Sequence, residues 1–159
     1  MSTFAVSISQ RPQARLFGIS VRTNMSKAPV DCPHLWEKVF APRMHEISGK
    51  NPCEYHGASY GVSVMLDEQN FDYWAAMPAP EGLALPEGMQ QIELPAGFYA
   101  SCAISSLGQL GEAYTYLYEA WPKTVKEYAP NMQAPSFEYY DQRFCESGAL
   151  EVYAPLQKI

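Results

Sequence analysis

Apolar positions in this chain recur at two spacings that alternate along its length. Leu16 to Arg22, Ser59 to Leu66, Phe71 to Met77, Met89 to Leu94 and Phe98 to Ile104 are β-forming runs of strand length bounded by turn residues. Between them lie two stretches of helical period. Pro33 to about His45 carries Leu35, Val39 and Met44 along one side, and Leu110 to Trp121 carries Leu110, Ala113, Tyr114, Leu117 and Trp121. Asp31 can cap the first helix with Pro33 in its first turn, and Pro122 ends the second. The polar turn Asp67–Asn70 predicts a hairpin between Ser59–Leu66 and Phe71–Met77. A closing hairpin is predicted from Ser136–Phe144 and Ala149–Pro155 around Ser147 and Gly148.

The two sets repeat in order. At an offset of 82, Ala14–Gly18 falls on Ala96–Ala100 and Leu35-Trp36-Glu37 on Leu117-Tyr118-Glu119. At 79, Phe71-Asp72-Tyr73-Trp74-Ala75 falls on Leu150-Glu151-Val152-Tyr153-Ala154. The expectation is a single α+β domain over 1–159, made of duplicated βαββ units at 1–80 and 89–159. Together they form one antiparallel sheet with two helices on one face and a central cleft, where function is sought.

Composition narrows the classes. The 11 Lys and Arg against 17 Asp and Glu leave a net charge of -6, with the basic residues scattered singly. A phosphate backbone or an anionic membrane surface needs clustered cations, so neither is an expected partner. No apolar run approaches the roughly 20 residues of a bilayer span, and Met1–Gln10 lacks the basic start and apolar centre of a leader. The expected location is the cytoplasm. Cys32, Cys53, Cys102 and Cys145 are dispersed without a Cys-x-x-Cys pair, which reads as buried free thiols. No metal site or other cofactor is expected, and His34, His45 and His56 read as surface or capping residues.

The exceptional feature is aromatic content, with 11 Tyr, 7 Phe and 3 Trp. Tyrosine joins a flat apolar body to a polar tip, which suits a semi-polar cavity as well as half-buried strands. Standard nucleophile and phosphate-binding motifs are absent. Glu138 stands out because its neighbours in Pro135-Ser-Phe-Glu-Tyr-Tyr140 are aromatic or β-forming. On a strand it shares a face with Ser136 and Tyr140. If that face carries the helices, a carboxylate lies under the cleft, able to hold a lipophilic cation among rings or to activate a water. The alternative is a solvent-facing side chain. Glu37 and Glu119 read as solvated helix faces.

Four segments carry a family likeness: Leu94–Ala100, Gly111–Pro122, Ser136–Tyr140 and Leu150–Pro155. In order and spacing the chain resembles the GyrI-like small-molecule-binding domains of AraC-type and multidrug-sensing bacterial regulators. The resemblance implies a central pocket with Glu138 at its floor and a ligand that is aromatic and cationic. Trp36, Tyr99, Tyr114, Tyr118, Tyr140 and Trp74 are the candidate walls. Regulators of this kind also carry a helix-turn-helix segment, for which this reading leaves no room in 159 residues. The expected function is therefore a stand-alone binding module. A hydrolase of strained, cyclopropane-containing or other electrophilic compounds, with Glu138 catalytic, is the enzymatic alternative. A third reading is an interaction module for gyrase or a separate regulator.

Overall fold

The computed structural model describes residues 3–50, 54–55 and 57–159. Nine strands dominate it: β1 (Ser7–Arg11), β2 (Ala14–Asn24), β3 (Ser59–Met65), β4 (Asn70–Pro78), β5 (Gln90–Leu94), β6 (Gly97–Ile104), β7 (Tyr128–Pro130), β8 (Ser136–Tyr140) and β9 (Leu150–Lys158). Eight pair in the order β1-β6-β9-β8-β3-β4-β2-β5, and β7 joins the far end of β9. Every pairing is antiparallel. The chain has the expected α+β architecture.

The order is symmetric about the central pair β3–β8. Outward from it run β4 and β2 on one side and β9 and β6 on the other. The outermost strands are exchanged: β1 leads into β2 but pairs with β6, and β5 leads into β6 but pairs with β2. This exchange curls the sheet. Laid flat, the six strand spacings between β1 and β2 would separate them by about 29 Å, whereas the link through Pro12 and Gln13 reaches only about 11 Å. The same holds for β5 and β6, linked through Pro95 and Ala96. The sheet therefore closes toward a barrel.

Its two faces bury different residues. The interior of the curl takes Leu16, Tyr60, Val62, Ala76, Leu94, Tyr99, Phe137 and Tyr153, one or two from each of seven strands. The outer face carries the helices over two clusters. One includes Phe17, Leu35, Phe40, Tyr73 and Met77, and the other Cys102, Leu117, Trp121, Val152 and Tyr140. Trp36 packs against both.

The two helical runs share one sequence of turns. α1 (Ala28–His34) passes into a π-helical turn (Leu35–Phe40), a 3-10 turn (Ala41–Arg43) and then α2 (His45–Ser48). In the other half a 3-10 turn (Leu107–Gln109) precedes α3 (Leu110–Thr115), followed by a π-helical turn (Tyr116–Ala120) and a 3-10 turn (Trp121–Thr124). Three expectations are corrected. The first helix begins at Ala28 with Pro29 in its first turn, so Pro33 lies inside it. Asp31 does not cap it, because its carboxylate accepts the Thr23 hydroxyl at 2.8 Å. Pro122 sits within the second run, whose last turn reaches Thr124.

The Asp67–Asn70 hairpin forms as predicted, with Asp67 Oδ1 accepting the Gln69 and Asn70 N–H groups. The closing one differs. Its first strand stops at Tyr140, and Asp141 caps α4 (Gln142–Ser147) through the Arg143 N–H. The side chain that ends the strand thus starts a helix. The offset of 79 matches residues facing the same way, whereas 82 sets Phe17, on the helix side, against Tyr99, in the interior. Residue Leu16, one place earlier, shares the face of Tyr99.

Candidate functional site

Alternation along β8 sends Ser136, Glu138 and Tyr140 to the helix side and Phe137 and Tyr139 to the interior, as strand geometry requires. Glu138 stands at the centre of the sheet, opposite Gly61 on β3. A Cβ at Gly61 would overlap the Tyr73 hydroxyl and the Glu138 carboxylate. The missing side chain lets Tyr73 reach across β3 from β4.

Three hydroxyls converge on the carboxylate. Tyr73 and Tyr140 donate to Oε1, each at 2.9 Å, and Tyr114 from α3 donates to Oε2 at 2.8 Å. The Trp36 indole N–H donates in turn to the Tyr73 hydroxyl at 2.9 Å, so a directed chain runs from the first helical segment into the acid. Rings complete the cover: Trp36 meets Tyr140 edge-on at 5.7 Å between centroids, and Tyr140 meets Phe144 at 4.9 Å. Glu138 is 2% exposed.

This is a buried acid without a cation. The ion pairs Arg22–Asp72, Arg43–Glu46 and Arg143 with Asp141 and Glu151 lie elsewhere, and none among the described residues involves Glu138. Burial raises the Glu138 pKa, and the hydroxyls of Tyr114, Tyr73 and Tyr140 pull it back by stabilising the anion. Burial, reinforced by the Glu138 charge, holds Tyr73, Tyr114 and Tyr140 well above the ordinary tyrosine range. The three hydroxyls keep their protons and act as donors. Burial also pushes the Cys32 thiol up to about 12, with Glu138 and Asp31 adding to the effect. Cys32 is thus a protonated thiol beside the acid.

Of the candidate walls, Tyr140, Tyr114 and Trp36 are brought to Glu138. Tyr118 joins their cluster, where burial raises its pKa and the Ser136 hydroxyl lowers it. Tyr99 and Trp74 are not brought there. Both face the interior of the curl, Tyr99 with its hydroxyl on the Pro95 carbonyl at 2.7 Å and Trp74 half-buried beside Val62 and Ala76. Strand alternation is the reason: Trp74 follows Tyr73, and Tyr99 precedes Ala100. Tyr73, Gly61 and Cys32 complete the site unanticipated. Tyr73 had a signal, since Phe71, Tyr73, Ala75 and Met77 form the apolar period of one strand face.

Glu37, Glu119, His34 and His45 are exposed, and His56 lies outside the described residues. So does Cys53, while Cys102 is buried, Cys32 half-buried and Cys145 exposed on α4, a correction to four buried thiols. No group of three or more His, Cys, Asp or Glu side chains among the described residues is placed to hold a metal ion. No helix there is long and apolar enough to cross a membrane.

Comparison with known proteins gives the family. The model of the family Cass2, described as "Integron-associated effector binding protein", matches residues 7–156. The chain belongs to this family. Members are effector-binding proteins, and the GyrI-like likeness read from the sequence holds. The chain is a small-molecule effector-binding domain of GyrI-like type. It is 34% identical over 140 residues to the transcriptional regulator BrlR of Pseudomonas aeruginosa, a match covering 86% of this chain and 48% of BrlR. The chain spans about half the length of that relative. Its fold is shared by SAV2435 bound to tetraphenylphosphonium, with a TM-score of 0.72, 16% identity and coverage of 96% and 94% of the two chains. The Vibrio cholerae integron cassette protein VCH_CASS2 shares it with a TM-score of 0.64, 17% identity and coverage of 96% and 95%.

Proposed function

We propose that this effector-binding domain takes amphipathic, aromatic, cationic molecules, with Glu138 as counter-charge and Trp36, Tyr73, Tyr114, Tyr118 and Tyr140 as walls. One observation carries the reading: Glu138 is buried, accepts three tyrosine hydroxyls and has no cation partner among the described residues. Such a site is incomplete electrostatically. A diffuse organic cation completes it at small desolvation cost, because its charge is spread over rings that stack on the walls. A strongly hydrated ammonium would lose more water than the site returns. The tetraphenylphosphonium bound to SAV2435 has this chemistry.

The test is calorimetric titration with tetraphenylphosphonium and with triphenylphosphine oxide, a neutral near-relative. Wild type is expected to bind the cation saturably and the oxide at least about tenfold more weakly, with Glu138→Gln losing the preference. Equal affinity for both compounds, or an unchanged preference in Glu138→Gln, would sink the proposal.

The same geometry supports a hydrolytic reading. An acid of raised pKa is a better base toward water, and a protonated Tyr140 hydroxyl can donate to a developing oxyanion. That reading requires turnover of an electrophilic substrate that Glu138→Gln abolishes while substrate binding persists.

A further inference from the structure

The interior of the curl holds a charge that the effector site leaves unused. Arg11 closes β1, opposite Gly97 of β6, and turns to the same face as Tyr99. Its guanidinium carbon lies 4.6 Å from the ring centre of Tyr153, 5.5 Å from Phe137 and 5.6 Å from Tyr139. Its guanidinium donates a long hydrogen bond, 3.4 Å, to the Tyr60 hydroxyl and also lies in hydrogen-bonding reach of the Tyr153 hydroxyl. Arg22, Arg43 and Arg143 each hold a carboxylate, and Arg15 reaches Gln91 on the exposed surface. Arg11 is half-buried against rings and meets no carboxylate among the described residues.

The nearby acid is otherwise engaged. Glu151 accepts the Tyr153 hydroxyl at 3.1 Å and lies 3.4 Å from Arg143, so its charge is compensated without Arg11. The other titratable groups facing the guanidinium are the hydroxyls of Tyr60, Tyr99, Tyr139 and Tyr153. Burial raises the pKa of Tyr60, Tyr99 and Tyr153, and Arg11 pulls each of them down. A forked cation whose ion-pair partner is absent among the described residues, walled by ring faces and hydroxyls, is the complement of a planar acid.

We propose that Arg11, with Tyr60, Tyr139 and Tyr153, forms a second ligand site for an aromatic anion, on the face of the sheet opposite Glu138. The anionic group takes paired hydrogen bonds from the half-buried guanidinium. Its ring lies against Tyr139, which is half-buried, and the edge of Tyr60. Cation–π contact alone leaves the guanidinium donors unpaired, and a carboxylate or sulfonate supplies what the rings lack.

The test is titration calorimetry of the full chain with 2-naphthoate and its neutral counterpart 2-naphthamide. Wild type is expected to bind the acid saturably and at least about tenfold more tightly than the amide, and Arg11→Gln to erase that difference, the loss of a charge-assisted pair. Circular dichroism checks the fold of the variant. If it fails to fold, the acid-to-amide ratio on wild type decides. The acid titration is repeated in excess tetraphenylphosphonium and is expected to be unchanged, marking a separate site. No saturable binding, equal affinity for acid and amide, an unaffected Arg11→Gln variant, or displacement by tetraphenylphosphonium would each overturn the proposal.

Discussion

The two faces of the sheet solve opposite problems with the same residue type. On the helix side an acid is fully buried, and Tyr73, Tyr114 and Tyr140 point their hydroxyls at it. In the interior a base is half-buried, and Tyr139 and Tyr153 turn their ring faces to it. One strand serves both, since Glu138 leaves β8 on one side and Phe137 and Tyr139 on the other. A tyrosine end stabilises an anion and its face a cation, so orientation alone sets the sign of charge a tyrosine wall accepts. The high tyrosine content is thus two sets of residues with different tasks.

The contrast breaks most sharply at Gly61. Its helix-side face is occupied by the Tyr73 hydroxyl and the Glu138 carboxylate, so a methyl there forces both to move while the interior is untouched. Gly61→Ala is expected to cost about 2–3 kcal/mol of stability and to abolish tetraphenylphosphonium binding. Urea unfolding and calorimetry read the two effects. A variant as stable as wild type would mean that the carboxylate is not held where its partners place it.

Next in size is the charge itself. The Glu138 pKa is raised, so the protonated form is favoured by folding: that stabilisation is full below the usual carboxylate range and is lost as pH rises through the folded value. Cation binding runs the other way and grows over the same interval. Glu138→Gln is therefore expected to be more stable than wild type at neutral pH by about 1 kcal/mol, since it removes an unpaired buried charge. Its advantage should vanish in acid. Melting temperatures across a pH series check both statements, and a variant less stable than wild type at neutral pH would contradict them.

These effects also mark what could be read in advance. The α+β class, the hairpin at Asp67–Asn70 and the sharing of one face by Ser136, Glu138 and Tyr140 follow from period and turn chemistry, which are local, whereas the side of the sheet that this face takes stays open in the sequence. The end of β8 was missed because Asp141 favours a helix cap once the chain has turned, a choice that no alternation reveals. Tyr99 and Trp74, candidate walls by residue type, lie one step of strand alternation away from the acid, on the interior face. One residue of register inverts a strand, and an offset of 82 differs by a single position from the match that keeps Leu16 with Tyr99. Tyr73 and Gly61 required the order of strands: only when β3 lies between β4 and β8 does a missing Cβ become a passage for a tyrosine. The exchanged edges β1 and β5 decide the curl, and their pairings join residues about half the chain apart.

Smaller effects sharpen the contrast. Trp36→Phe keeps a ring beside Tyr140 and removes the N–H that orients the Tyr73 hydroxyl. A loss of about 1 kcal/mol in cation affinity is expected, the worth of one hydrogen bond. An unchanged affinity would show that Tyr73 holds its direction without Trp36.

The smallest expected effect is the most discriminating between the faces. Trp74 adjoins Tyr73 in sequence, and composition alone would put both at the same ligand. Its ring lies across the backbone from the acid, against the interior cluster that holds Val62 and Ala76, and is partly exposed. Trp74→Phe should change tetraphenylphosphonium affinity by less than about 0.5 kcal/mol, the range of substitutions away from a site. Tryptophan fluorescence gives a second reading in the same titration, since the proposed site sets the cation beside Trp36 and away from Trp74. Quenching that survives in Trp74→Phe and disappears in Trp36→Phe assigns the ligand to the helix side, whereas the reverse pattern would move the cation to the interior.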